Sequence, residues 1–332
     1  MKTFRSLMIL GLLILGMHCA RAEDIDIFLT PPSTAVRPNV LIIVDNTANW
    51  SSSFASEMQA LASVVGGLTD KVNVGIMMFT ESGGGNGNPD GGYVRYAVRQ
   101  MTAANKTGLV SLVNGFNVNG DKSNGSKFSL ATLEAYQYFK GLEAYAGFNK
   151  VKRDPAAFVG SSSTYASPLN DACQKNFIIV LSNGPAGDNS SDGTTSKTKL
   201  AEYSGLASGS FPPEITLSPN QEQSVWADEW SRFMSGADVS SLDGSQNIIT
   251  YTVDVVNTNN ETQSWQAHSA LLQSMSKQGK GKYFKIANAG ENAGTTSAIS
   301  TALNAILNEV QAVDSVFAAS TLPVSVNVRG TN

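Results

Sequence analysis

The chain has 332 residues, with 23 Lys+Arg against 27 Asp+Glu and a formal charge of −4. Residues 1–22 read as an export signal whose loss removes Lys2, Arg5 and Arg21, leaving 20 cations against 27 anions and a formal charge of −7. That acidic balance, without basic clusters, argues against nucleic acid or an anionic membrane as the main partner.

The signal has three parts: Lys2 and Arg5, an apolar core from Leu7 to Met17, and Ala20-Arg21-Ala22, with cleavage expected after Ala22. The apolar core is too short for a spanning helix, which needs about 20 apolar residues. No later segment is apolar enough to cross a membrane, so export to the periplasm and then the cell surface or medium is expected. Cys19 and His18 leave with the signal. Cys173 is then the single cysteine, expected at a core edge and without an internal disulfide partner, and His268 is the single histidine. One histidine cannot furnish a two-histidine metal site.

The remaining elements alternate in the manner of a doubly wound α/β sheet. Val40–Val44 is a strand buried on both faces, followed by a helix near 51–66 with Phe54, Met58, Leu61 and Val65 at helical spacing. Strand 72–79, a Gly/Asn turn at 83–92 and an antiparallel edge strand at 93–99 follow. Next come a short helix at 107–116, a polar loop at 117–126, a longer helix at about 128–142 and an apolar strand at 176–181. Residues 183–224, rich in Ser, Gly, Asn, Thr and Pro, read as an irregular insertion. Helix 225–236 sets Trp226, Trp230 and Phe233 on one stripe that is read as core-facing. Strand 247–255, helix 264–278, strand 282–286 and helix 297–311 close the domain. Residues 312–332 end in Val324, Val326 and Val328 at alternate positions, a half-buried strand pattern without a following partner.

Three loops carry candidate chemistry. After strand 40–44 the chain reads Asp45-Asn-Thr47-Ala-Asn49, oxygen-bearing side chains at the carboxyl end of a central strand, where open α/β sheets bind ligands. Oxygen donors on a short loop suit a hard cation such as Mg²⁺, or Mn²⁺ or Ca²⁺. The second loop offers Ser126 before the long helix, and the third offers Asn183 just past strand 176–181, after Ser182.

These loops resemble, in part, the metal loops of a von Willebrand factor A (vWA) domain. Asp45-x-Thr47-x-Asn49 stands where that family has Asp-x-Ser-x-Ser, Gly125-Ser126 where it has Gly-Thr-Pro, and Ser182-Asn183-Gly184 where it has Thr-Asp-Gly. The last change keeps an oxygen and removes a negative charge, worth up to roughly 8 kcal/mol gross toward a divalent ion at an effective dielectric near 20. Two readings stay open: a weakly occupied ion site, and a metal-free relic held by hydrogen bonds. Asp188 or Asp192 folding back would replace the lost charge. Asp188–Gly193 also has the opening spacing of a calcium loop, but Lys199 stands where a glutamate belongs, and an Asx-rich turn is the preferred reading.

The wider pattern is similar to the N-terminal region of PilY/PilC-type proteins, tip adhesins and assembly factors of type IV pili. It rests on the export signal, EDIDIFLTPPS, PNVLIIVDNTANW, LEAYQYFKG, CQKNFIIVLSNGPAGDN, NIITYTVDV and the closing AVDSVFAASTLPVSVNVRGT. The resemblance implies a vWA-like domain over 23–311, partners among minor pilins or pilus-tip proteins, and attachment to a host or surface ligand. Such proteins usually continue into a β-propeller domain with its own calcium site; residues 312–332 are read as a strand leading towards that missing domain, and its calcium-dependent functions are not carried over. The expected function is protein–protein binding at a degenerate metal site formed by Asp45, Thr47, Asn49, Ser126 and Asn183. The alternatives are a metal-free scaffold for minor pilins and a secreted vWA ligand-binding protein unrelated to pili. No catalytic role is expected: His268 shares a helix face with Trp265, Leu272 and Met275, and no nucleophile elbow or phosphate loop is present. Trp50, next to the first loop, is read as a cap of the first helix in preference to an exposed contact residue.

Overall fold

A computed structural model describes residues 36–81, 90–123, 125, 127–257, 262–288 and 290–320, with side chains through residue 312. The expected signal segment, the EDIDIFLTPPS stretch, residues 82–89, Ser126 and the Val324–Val328 pattern lie outside the described residues.

Six strands form one sheet: β1 (Asn39–Val44), β2 (Asn73–Met78), β3 (Tyr93–Gln100), β4 (Asn176–Ser182), β5 (Ile248–Asn257) and β6 (Lys280–Asn288). Their order is β3-β2-β1-β4-β5-β6, with every pair parallel except the antiparallel β2–β3 edge. This is the doubly wound, Rossmann-like α/β architecture, in which the order of strand addition reverses between the parallel neighbours β1 and β4. Eight helices flank the sheet among the described residues: α1 (Phe54–Gly67), α2 (Ala103–Asn114), α3 (Val118–Asp121), α4 (Phe128–Lys140), α5 (Ser190–Tyr203), α6 (Ala227–Gly236), α7 (Gln263–Gln278) and α8 (Ala293–Ser320).

The apolar strand runs follow from burial on both faces. Val40, Ile42 and Val44 join a core with α1, α2 and α8, whereas Leu41 and Ile43 point into a second core with α4, α6 and α7. The period-two alternation of side chains across a strand makes that division. Strand β3 hugs β2 so closely that a Cβ at Gly75 would stand 2.7 Å from the Tyr96 carbonyl and the Val98 nitrogen. Only glycine allows that approach.

Several expectations change. Helix α2 begins at Ala103, four residues before the expected start, because the Thr102 side chain caps it by accepting from Asn105 N. The supposedly irregular 183–224 stretch contains α5, fourteen residues long. A capping box starts it: the Asn189 side chain accepts from Asp192 N, and the Asp192 carboxylate accepts from Asn189 N. The calcium-loop spacing at 188–193 is thus a helix start. Cys173 is exposed, not at a core edge, because it sits in the turn before β4. Trp230 is fully buried and donates from Nε1 to Ser196 Oγ on α5 at 2.8 Å, so the aromatic stripe of α6 is core as expected.

Candidate functional site

The parallel register pairs Val44 with Leu181, so Asp45 and Ser182 emerge side by side at the carboxyl end of the sheet, where the strand order reverses. The first and third loops therefore meet without any long-range reach. Asn183 Nδ2 donates to the Asp45 carbonyl at 2.7 Å, and Asp45 N donates to the Leu181 carbonyl at 2.9 Å. Asn49 lies over the same turn, against Gly184, where a Cβ would collide with its amide.

The second loop is drawn in by Asn46, a residue skipped by the alternation of Asp45, Thr47 and Asn49. Its Oδ1 accepts from Phe79 N at 3.0 Å, and its Nδ2 donates to the carbonyls of Thr80 and Asp121, each at 2.7 Å. Ser123 N adds a bond to the Asn46 carbonyl at 2.7 Å. Asn46 thereby ties the ends of β1 and β2 to the loop holding α3. Asp45, Thr47, Asn49 and Asn183 come together; Ser126 lies outside the described residues.

The Asp45 carboxylate is committed on both oxygens. Oδ1 accepts from Thr47 N at 3.0 Å, and Oδ2 accepts from Ser182 Oγ at 2.7 Å. Ser182 Oγ is also 2.8 Å from His268 Nε2. Because Ser182 gives its proton to Asp45, the imidazole must donate Nε2–H to the serine. The order is carboxylate, hydroxyl, imidazole, and the imidazole is not placed to take the serine proton. Burial pushes His268 down to about 3, so the ring is neutral at any ordinary pH. The expected core histidine is satisfied at Nε2, while its Nδ1 has no hydrogen-bond partner among the described residues.

Two further acids reach this rim. Glu57 on α1 is fully buried, and burial, reinforced by the Asp45 charge, pushes it up to about 8. Glu57 Oε2 accepts from Trp50 Nε1 at 3.1 Å, which holds the fully buried Trp50 against Phe54, ring centroids 4.6 Å apart. Trp50 is thus a core cap. Glu57 also interacts with Asn183, whose Oδ1 is buried without an aligned donor. Glu222 is pushed up to about 8 by burial and by the nearby Asp188 charge.

Asp188 and Asp192 each bond other groups. Asp188 accepts from Phe128 N at 2.8 Å and Ser129 N at 2.7 Å, so it serves the amino end of α4, where a carboxylate is favoured. Asp192 forms a buried pair with Lys127 Nζ at 2.9 Å.

A hard divalent cation takes six or more oxygens and gives up hydration reluctantly. Here Asp45, Thr47 and Asn183 are 1 %, 5 % and 1 % exposed, and the one carboxylate among them already accepts two hydrogen bonds. Burial raises the Asp45 pKa and so disfavours its charge. Among the described residues no group of three or more His, Cys, Asp or Glu is placed to hold an ion. Each Asp45 oxygen thus already accepts a hydrogen bond, whereas Thr47 Oγ1 and Asn183 Oδ1 are buried oxygens without a hydrogen-bond partner among the described residues.

No family model matches the sequence, and no curated protein matches it. Solved structures with a similar chain path include a von Willebrand factor type A protein from Catenulispora acidiphila, at 10 % identity and TM-score 0.42 over 84 % of this chain and 42 % of that one. The pilus adhesin SpaC from Lactobacillus rhamnosus GG, in its open conformation, is similar at 10 % identity and TM-score 0.43, over 83 % of this chain and 30 % of that one. The PilB minor pilin from Streptococcus sanguinis, in a point-mutant form, is similar at 11 % identity and TM-score 0.46, over 86 % of this chain and 64 % of that one. This chain spans less than two thirds of each of these proteins. At such identities and TM-scores the likeness carries no inference about ligands or partners.

Proposed function

We propose that this chain is an exported vWA-like domain of a type IV pilus tip or assembly system, working by protein–protein contact through the loops at the carboxyl edge of its sheet. The observation that carries the reading is the locking of those loops: Asn183 holds Asp45, and Asn46 holds the ends of β1 and β2 and the Asp121 segment together. Backbone and side-chain hydrogen bonds do here what an ion does in a metal-dependent rim, so the loops present one preorganised surface. Preorganisation lowers the ordering cost of binding. Minor pilins or pilus-tip proteins are the partners of this reading, and a host or surface ligand is a further one. Among the described residues no helix is long and apolar enough to cross a membrane. Catalysis is not part of the reading, because His268 and Ser182 are both fully buried and Ser182 donates to Asp45.

The metal-dependent version is favoured by one observation: Thr47 Oγ1 and Asn183 Oδ1 are buried oxygens without an aligned hydrogen-bond partner. Thermal unfolding separates the two versions. Millimolar Mg²⁺, Mn²⁺ or Ca²⁺ against chelator is expected to leave the melting temperature unchanged. A rise of several degrees that Asp45→Ala abolishes would replace the metal-free reading with the metal-dependent one. Binding to purified minor pilins, measured by biolayer interferometry, is expected to persist in chelator and to weaken in Asn46→Ala. Absence of binding to every minor pilin of the same system would refute the pilus assignment.

A further inference from the structure

A cleft of about 390 Å³ opens between the start of α4 and the start of α5, apart from the Asp45 rim. Its volume lies toward the small end of the range of roughly 300–1,000 Å³ that ligand pockets occupy. The charged residues in its walls are already paired. Lys127 Nζ bonds Asp192 at 2.9 Å, and Asp90 Oδ1 takes Lys150 Nζ at 2.7 Å. A charged ligand therefore finds no net opposite charge there.

The polar capacity left over is of another kind. Asp90 is 6 % exposed, and its Oδ1 also accepts from the Thr80 hydroxyl and Gly91 N, whereas its Oδ2 accepts from no described residue. Asn189 uses Oδ1 to cap α5 and leaves its amide N–H groups unused by the described residues. The hydroxyls of Thr195 and Tyr145 are likewise not engaged by described residues. Around these groups stand the buried Leu130 side chain and the half-buried Tyr145 ring, which complete the wall.

We infer that this cleft is a binding site for a neutral polyhydroxylated ligand, a small saccharide, held by Asp90 Oδ2, Asn189 Nδ2 and the Thr195 hydroxyl. A carboxylate only accepts, an amide N–H only donates, and a hydroxyl does both. A sugar ring answers all of them at once, because each of its hydroxyls is donor and acceptor. Bonds to the ionised Asp90 are the strong ones. The C–H face of the ring packs on Tyr145 and Leu130, since an aromatic body suits a surface that is apolar on one side. This inference uses none of the residues of the Asp45 rim and stands or falls separately from the pilus reading.

Saturation-transfer NMR on the folded domain tests it, with millimolar D-mannose, D-galactose and N-acetyl-D-glucosamine as probes. D-galacturonate and D-glucosamine serve as charged counterparts. Transfer to the ring protons of at least one neutral sugar is expected, with the charged analogues about tenfold weaker. Thr195→Val keeps both ion pairs and the helix cap, and losing one hydrogen bond there weakens binding about fivefold. Tyr145→Ala weakens it at least as much, with circular dichroism confirming that both variants fold. No transfer to any of the neutral sugars overturns the inference. So does equal binding of galacturonate, or binding that neither variant alters.

Discussion

Replacing Asn46 by alanine removes the one side chain that reaches β2, the Thr80 turn and the Asp121 segment together. Three hydrogen bonds go, and Phe79 N, the Thr80 carbonyl and the Asp121 carbonyl are left at a site where Asn46 is fully buried. Each lost bond costs about 1 kcal/mol, and each buried group left unsatisfied costs about 1–3 kcal/mol, so partial relaxation leaves a net loss of roughly 3–5 kcal/mol. For a domain of this size that lowers the melting temperature by roughly 6–15 °C. Asn46→Asp keeps an acceptor for Phe79 N but turns a carboxylate toward two carbonyl oxygens, so its loss should be at least as large. Urea unfolding gives the free energy, and hydrogen exchange at Asp121 and Ser123 tests the location. An alanine variant melting within about 2 °C of the parent, with unchanged exchange at those amides, would falsify the claim that Asn46 locks the loops.

Other outcomes follow from buried ionisable groups. Burial pushes Glu134 up to about 7 although it accepts from Ala146 N, Gly147 N and Tyr165 Oη. The folded state then holds a proton that the unfolded chain gives up near 4.5, so stability is full below 4.5 and falls as pH rises through 7. Glu134→Gln should flatten that slope when urea midpoints at pH 5 and pH 8 are compared with the parent. His268 works in the opposite direction: its pKa, lowered from 6.5 to about 3, makes stability fall as pH drops below 6.5. Its ring resonances should show no titration between pH 8 and pH 5, and a midpoint near 6.5 would mean the ring is not buried as described. Asp192→Ala leaves the Lys127 ammonium, 5 % exposed, without its partner and should cost about 3–5 kcal/mol. Lys199→Ala breaks a surface pair with Glu202 and should change stability by less than about 1 kcal/mol, a contrast readable in one series of denaturation curves.

Much of the fold was legible in the residue order because burial on both faces leaves a local mark. Strands β1, β2 and β4 are continuous apolar runs, and β3 announced itself as an edge by mixing Tyr93 and Val94 with Arg95 and Arg99. Helix α5 was hidden because it is stabilised by its capping box and by Leu200 and Ser196 packed under Trp230, features that a Ser/Thr/Gly composition conceals. At the site, Asp45 and Asn183 were legible as polar side chains within two residues of the end of a central apolar run. Asn46 was not, because its role depends on carbonyls 34 and 75 residues away.

The amino-acid order alone thus determined a doubly wound sheet and the placement of oxygen-bearing loops at its carboxyl edge, since strand burial and the strand-to-loop switch are written within a few residues. Only the tertiary structure decided what those loops do to one another. It brought Ser182, His268 and Glu57 to Asp45 and Asn183, and it sent Asp188 and Asp192 to the amino end of α4 and to Lys127. Charge and hydrogen-bond partnership fall off within a few ångströms, so they are settled by which distant segments the folded chain places in contact.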